Sequence, residues 1–158
     1  MSQEYFIVAL SPNIDLAIPL DSMGTVTQLE LSNICPVPGI AEFWHGAINH
    51  KGSLLWVLDS DRYFTLSNNQ NYQAKKMTAV VIKQSQADSS KKAALITPQL
   101  VGIIALEPDD FEPLADDIQP AIKQCCSASI KNKTKRTFIL DPNHLLEQLS
   151  QQSSLVAA

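Results

Sequence analysis

The sequence predicts an all-β fold of small barrels with one helix at its C-terminal end. Three observations carry that expectation. Apolar residues recur with period two in short runs, turn-forming clusters separate the runs, and one stretch alone has helical spacing. The chain has 158 residues. A chain of this size buries about 70% of its unfolded surface, enough for a core without a metal or disulfide staple, and it reads as one domain.

The elements follow in order. Residues 5–10 form a β-branched and aromatic run, ended by Ser11-Pro12-Asn13. Ile14, Leu16, Ile18 and Leu20 alternate and so present one apolar face. Leu29 and Leu31 continue the pattern before the rigid turn Pro36-Val37-Pro38-Gly39. Residues 54–58, which include Trp56, and residues 77–82 are compact apolar strands. Residues 93–96 and 100–106 add two more, and Ile130 with residues 137–140 completes about ten. The separators at 67–71 and 85–90 are rich in Ser, Asn, Gln and Asp, which hydrogen-bond their own backbone and favour loops. The helix starts at Asp141, a good N-cap, with Pro142 at the first helical position. Leu145, Leu146 and Leu149 then share a face, while residues 149–158 read as a flexible tail that frays.

Charge excludes some functions. A net charge of −4 and a pI near 5.2 leave no basic field for a phosphate backbone, which opposes a nucleic-acid-binding module. The charge comes in blocks: −5 over residues 1–70, +4 over 71–105, −6 over 106–120 and +3 over 121–158. Such blocks mark solvated faces and can steer a charged partner. The longest apolar run, residues 100–106, is far below the ~20 residues of a spanning helix, so no membrane insertion is expected. Residues 1–4 show neither a basic region nor an apolar one of the signal-peptide kind, which predicts a cytoplasmic chain.

Catalytic constellations are scarce. Walker loops, G-x-S-x-G elbows and G-x-G-x-x-G turns are missing from the sequence. Cys35 with His45 or His50 could form a thiol–imidazole pair, the one enzyme reading left open, although nothing beside Cys35 favours a thiolate. The same three residues lack the close spacing of zinc ligands, and no metal or cofactor is expected. Adjacent Cys125 and Cys126 make a poor disulfide and read as small, half-buried strand residues. Asp109-Asp110 and Asp116-Asp117 sit in a Pro-containing acidic stretch and read as solvated loop, and His144 reads as a surface residue. The chain is not expected to be an enzyme.

The informative stretch runs from Cys35 to Asp59. A Pro-rich turn delivers the chain to a short element around Phe43 and Trp44. Asn49-His50-Lys51-Gly52 then turns it into the apolar strand at 54–58. Asn and Gly tolerate the left-handed φ that a tight hairpin demands, so Lys51 would stand at an exposed, fixed tip. It is either a presented binding residue or a solubilising lysine on a plain hairpin.

This stretch resembles the signature of CheW-like coupling proteins, a V-P hinge followed by G-x-x-N-x-R-G and an apolar strand ending in I-D-L-R. The matching residues are Val37-Pro38, Gly46, Asn49, Gly52, Val57-Leu58-Asp59 and, offset, Arg62. Residues 6–20 are similar to the family's opening hairpin, and 19–26 to its following segment. Residues 116–120 and 138–146 are similar to its last hairpin approach and its terminal strand and helix, so the likeness spans about 4–148. Four departures stand out. Lys51 replaces the usual arginine, Trp56 a common proline, Thr25 a frequent glutamate, and Thr97-Pro98 the usual valine–aspartate. Lysine keeps the charge but not arginine's planar fork.

The resemblance implies two five-stranded β-barrels sharing a hydrophobic core, with approximate subdomains 14–75 and 76–142 plus the N-terminal strand. It implies a non-catalytic adaptor. The partners would be the regulatory domain of a CheA-type histidine kinase and the cytoplasmic tip of a methyl-accepting-type receptor, at membrane-associated arrays. By analogy Met23, Thr25 and Gly46 contact the kinase, while Asn49, Lys51 and Gly52 contact the receptor on a separate face. Met23 could equally be core packing, and Gly46 could serve backbone geometry alone. The departures imply a divergent member with its own partners, serving taxis of the phototaxis or twitching kind. Two other function classes stay open, a small-barrel nucleic-acid module and a Cys-dependent enzyme.

Overall fold

The computed structural model describes residues 2–64, 76–84, 91–97, 99–132 and 135–152. The expected loops at 67–71 and 85–90 lie outside the described residues. Ten strands are present: β1 (Gln3–Ser11), β2 (Ile14–Pro19), β3 (Met23–Glu30), β4 (Trp44–His50), β5 (Ser53–Asp59), β6 (Lys76–Lys83), β7 (Lys92–Thr97), β8 (Gln99–Leu106), β9 (Cys126–Asn132) and β10 (Lys135–Leu140). Three helices join them: α1 (Ser60–Tyr63), α2 (Pro120–Cys125) and α3 (Pro142–Gln152).

The strands form two five-stranded sheets, ordered β8-β1-β2-β10-β9 and β3-β6-β7-β5-β4. Each contains one parallel pair, β2 with β10 and β5 with β7, and is otherwise antiparallel. The fold is therefore the all-β pair of curled sheets that the sequence predicts. The division between the halves differs from the expected one. β2 pairs with β1 through the tight Pro12-Asn13 connection, so residues 3–19 belong with 99–140. β6 and β7 complete the sheet that β3 begins, so the other half is made of β3 to β7.

Strands buried on both faces explain the near-continuous apolar runs. Tyr5, Ile7, Ala17 and Ile139 fill the inside of the first sheet, with Phe111 and Leu106 packed on them. Ile48, Leu55, Val57, Met77, Ala79 and Ile96 fill the inside of the second. The opposite faces meet in the largest cluster, where Phe6, Val8, Leu16, Ile18 and Phe138 pack on Trp44, Leu58, Val80, Ile82 and Leu95. That cluster is the shared core.

Helix α3 closes one side of the shared core. Asp141 Oδ1 accepts a hydrogen bond from the His144 amide at 3.2 Å, the predicted N-cap. Leu145, Leu146 and Leu149 are buried and belong to the core cluster. Fraying from residue 149 is thus corrected. The helix runs through Gln152 because Leu149, 1% exposed, anchors its last turns. His144 is exposed, as expected.

Other differences are local. Leu31 leaves the strand for a short 3-10 turn, and β3 instead begins at Met23. α2 was not legible because six residues contain too few turns for a period, although Pro120 marks its start. The two adjacent cysteines are buried rather than half-buried, and only Cys126 lies in a strand. Cys125 ends α2 and Cys126 opens β9, and both are fully buried in the shared core.

Candidate functional site

β4 and β5 form a hairpin with the two-residue turn Lys51-Gly52, flanked by the pair His50–Ser53. Both turn residues are left-handed, Lys51 at φ 52° and Gly52 at φ 81°, the geometry of a type I′ turn that matches strand twist. The sequence suggested that Asn49 and Gly52 would take these angles. Asn49 instead stays in the strand, and its side-chain Oδ1 accepts a hydrogen bond from the Gly52 amide at 3.1 Å. The three expected receptor-contact residues are thus one local unit. Asn49 ties the turn, Gly52 supplies the free backbone, and Lys51 is exposed at the tip.

Gly46 lies deeper in the same hairpin. The chain at Ile34-Cys35 crosses over it, with the Cys35 amide donating to the Ala47 carbonyl at 2.8 Å and the Ala47 amide donating to the Cys35 carbonyl at 3.0 Å. A Cβ on Gly46 would stand 2.4 Å from the Cys35 carbonyl oxygen, and its φ is 151°. Gly46 is buried, and its contact is with its own chain.

Met23 and Thr25 lie at the start of β3, where the pairing with β6 slips between Met23 and Val26. Met23 is half-buried against the shared core, so packing takes part of its side chain. Thr25 is exposed, and its Oγ1 lies 3.4 Å from His50 Nε2. Thr25 therefore abuts the Lys51 turn.

The strand end at Asp59 anchors the loop in front of this hairpin. Asp59 is fully buried, and its Oδ1 accepts from the amides of Asp61 at 3.0 Å and Arg62 at 3.3 Å, capping α1. The Arg62 guanidinium meets Asp59 Oδ2 at 3.6 Å and donates to the Glu42 carbonyl at 3.2 Å. The Asp59 amide donates to the Phe43 carbonyl at 2.9 Å. These bonds fix residues 42–43 to the end of β5, a role that the motif residues Asp59 and Arg62 did not reveal. The signal was present in their spacing of three, which is that of a cap and an ion pair on one short turn.

Behind them lies an aromatic cluster. Phe43 meets Tyr63 edge-on at 5.2 Å, Trp44 meets Trp56 at 5.9 Å, and Tyr63 meets Phe64 at 5.1 Å. Trp56, standing where the resembling family often has proline, is therefore a packing residue. Burial pushes the Tyr63 phenol well above the usual tyrosine range.

The Cys126 thiol is pushed far up by its hydrogen bond with Cys125 and by burial, and Cys125 Sγ donates to the Ala121 carbonyl at 2.9 Å. Cys126 is therefore not poised as a nucleophile. Cys35 is exposed, and the His50 ring meets Thr25. Asp116 meets Lys123 at 3.9 Å on the surface, and Asp109 and Asp110 occupy an exposed 3-10 turn. Among the described residues no cluster of three metal-ligating side chains forms, and no helix is long and apolar enough to cross a membrane.

The sequence profile of the CheW-like domain family matches residues 4–150. Among solved structures, the crystal structure of scaffolding protein TtCheW from Thermoanaerobacter tengcongensis matches with a TM-score of 0.70 and 19% identity, over 89% of this chain and 89% of that one. At that identity the likeness is one of fold. No curated protein matches the sequence.

Proposed function

The chain belongs to the CheW-like domain family, and on that premise we propose that it is a non-catalytic adaptor joining a CheA-type histidine kinase to the cytoplasmic tip of a methyl-accepting-type receptor. The observation that carries the reading is the backbone of Lys51. It is the one non-glycine residue with positive φ among the described residues. The first position of a type I′ turn favours Asn, Asp or Gly, and a left-handed conformation costs other side chains about 1–2 kcal/mol. A lysine retained there against local preference, exposed, in a region of charge −5, is economically explained by a partner group that needs its charge.

In this reading Lys51 meets an acidic or carbonyl group at the receptor tip, with Asn49 and Gly52 setting its direction. Thr25 and the exposed part of Met23 meet the regulatory domain of the kinase. Gly46 works one layer below, letting β4 pass under Cys35 so that the hairpin keeps its course. Binding to both partners would hold the adaptor at receptor arrays on the cytoplasmic side of a membrane, without inserting into it. The departures at Thr25 and Lys51 suit dedicated partners in a taxis pathway of the phototaxis or twitching kind.

The test is kinase autophosphorylation in a reconstituted system with and without receptor fragments. Lys51→Glu should lower the receptor-dependent increase, and Lys51→Arg should keep or raise it. Wild-type behaviour of Lys51→Glu in both conditions would return Lys51 to an ordinary surface lysine.

A further inference from the structure

The Lys51 turn shares its end of the second sheet with two other lysines. β3 starts at this end, since Met23 pairs with Ile82 near the close of β6. β6 ends and β7 starts there, with Lys83 directly opposite Lys92. β5 runs parallel to β7, Val57 standing opposite Ala94, so the β4–β5 turn projects from the same end. The contact of Thr25 with His50 joins the two outermost strands, and these strand ends therefore ring the mouth of a curled sheet.

Charge is unbalanced at this rim. Lys83 and Lys92 are both exposed, and like charges directly opposed across a ladder are destabilising. Neither they nor Lys51 makes an ion pair among the described residues. At the other end of the same sheet bases are matched by acids. Lys76 stands opposite Glu30 in the register, and Arg62 meets Asp59. In sequence, the acids beside the rim strands are Asp21 and Asp88, against the four lysines 51, 83, 91 and 92.

Strand alternation sets the side of the sheet on which the pair stands. Lys83 lies two residues beyond Val81 and Lys92 two before Ala94, and Val81 and Ala94 belong to the inner cluster with Ile48 and Leu55. His50 and Ser53 have the same parity on β4 and β5. Ile82, the partner of Met23, faces the shared core instead. The lysine pair is thus on the side of His50 and the Lys51 turn, opposite to Met23.

We propose that Lys83 and Lys92 join Lys51 in a basic rim that binds an acidic, carboxylate-bearing segment of a partner protein. Resting on the adaptor reading, that segment belongs to the receptor tip, because the pair shares its side of the sheet with the receptor turn and not with Met23. A carboxylate placed between Lys83 and Lys92 turns their repulsion into attraction to a common group, so the pair is unfavourable in the free chain and favourable in the complex. Thr25, His50, Lys51, Ser53, Lys83 and Lys92 include no Phe, Tyr or Trp on which bases would stack, which opposes a single-stranded nucleic acid.

Two measurements on the full chain separate the rim from the adaptor reading. In an NMR titration with an oligoglutamate peptide, amide shifts should change at residues 50–53, 83 and 92 and fade with added salt. Lys92→Glu makes an opposite-charge pair with Lys83, so it should keep Tm, remove the change at residue 83 and reduce the others. Binding of a soluble receptor fragment that bears the cytoplasmic tip should weaken about tenfold or more in Lys92→Glu. Lys131→Glu, the same change opposite Arg136 on the first sheet, should leave it nearly unaltered. Three results would each overturn the proposal: peptide shifts at Lys131 and Arg136 in place of the rim, receptor binding lost in Lys51→Glu but intact in Lys92→Glu, or tighter binding of a single-stranded oligonucleotide than of the peptide at equal charge. A peptide held at the rim by a chain that binds no receptor fragment would uphold the acidic-segment site and remove the receptor reading alone.

Discussion

Thr25 Oγ1 lies 3.4 Å from His50 Nε2. The contact joins β3 to β4, which stand at the two ends of the order β3-β6-β7-β5-β4, so it marks the seam where the sheet curls back on itself. It also brings a residue assigned to the kinase against the turn assigned to the receptor. Thr25 and His50 thus meet beside the Lys51-Gly52 turn, which His50 flanks.

The turn gives the most direct separation of stability from function. Lys51→Asn places the favoured residue at the first position of a type I′ turn. It should stabilise the protein by about 0.5–1 kcal/mol, read as a rise in Tm, because the left-handed strain is reduced. The same variant should lose receptor-dependent kinase activation, since the charge is gone. A variant both more stable and fully active would show that the lysine has no partner.

Met23 and Thr25 need different probes. Met23 is packed partly into the shared core, so Met23→Ala should cost about 1 kcal/mol of stability whatever it does to binding. Thr25→Arg changes an exposed side chain at a slipped part of the ladder and should leave Tm within a degree or two. If Thr25 meets the kinase, Thr25→Arg should weaken binding of the regulatory domain about tenfold or more in calorimetry. Unchanged affinity would remove Thr25 from the interface.

Gly46→Ala addresses the residue between these two groups. The added Cβ meets backbone, the Cys35 carbonyl at 2.4 Å, which cannot swing away as a side-chain tip can. The φ of 151° is also unfavourable for alanine. The variant should lose about 2 kcal/mol or more, or fail to fold, in urea denaturation. Near-wild-type stability would mean that the crossing at Ile34-Cys35 yields easily.

The pattern of what was legible has physical reasons. Period-two alternation and turn clusters reveal strands, and Asp141-Pro142 reveals a capped helix start. These are local signals. The sheet order is not local. β2 joins β10 across more than a hundred residues, and no feature of Ile14 or Leu16 announces a parallel partner. The same holds for the site. Lys51 and Gly52 are adjacent in sequence and their turn could be read. The Thr25–His50 contact depends on the curl of a whole sheet, and the buried Asp59 cap depends on where Phe43 returns. Cys125-Cys126 misled because adjacent small residues fit a strand or a helix end equally well.

Asp15 sets a pH dependence with a definite sign. Its carboxyl is buried in the first sheet with Lys135 Nζ at 3.9 Å, and burial raises its pKa more than the lysine lowers it. The folded state therefore holds the proton more tightly than the unfolded chain. Asp15 contributes stability at acid pH, below the unfolded value, and that contribution is lost as pH rises through the folded value. Where the group is ionised it costs stability, so Asp15→Asn should raise Tm at neutral pH, by an amount worth less than about 1 kcal/mol. The advantage should shrink as the pH is lowered, because protonated Asp15 no longer bears the cost. Thermal melts of both proteins between pH 7 and pH 4 give the comparison. If the variant is instead less stable at pH 7, and the deficit closes on acidification, then the ion pair with Lys135 outweighs burial and the sign assigned to Asp15 is reversed.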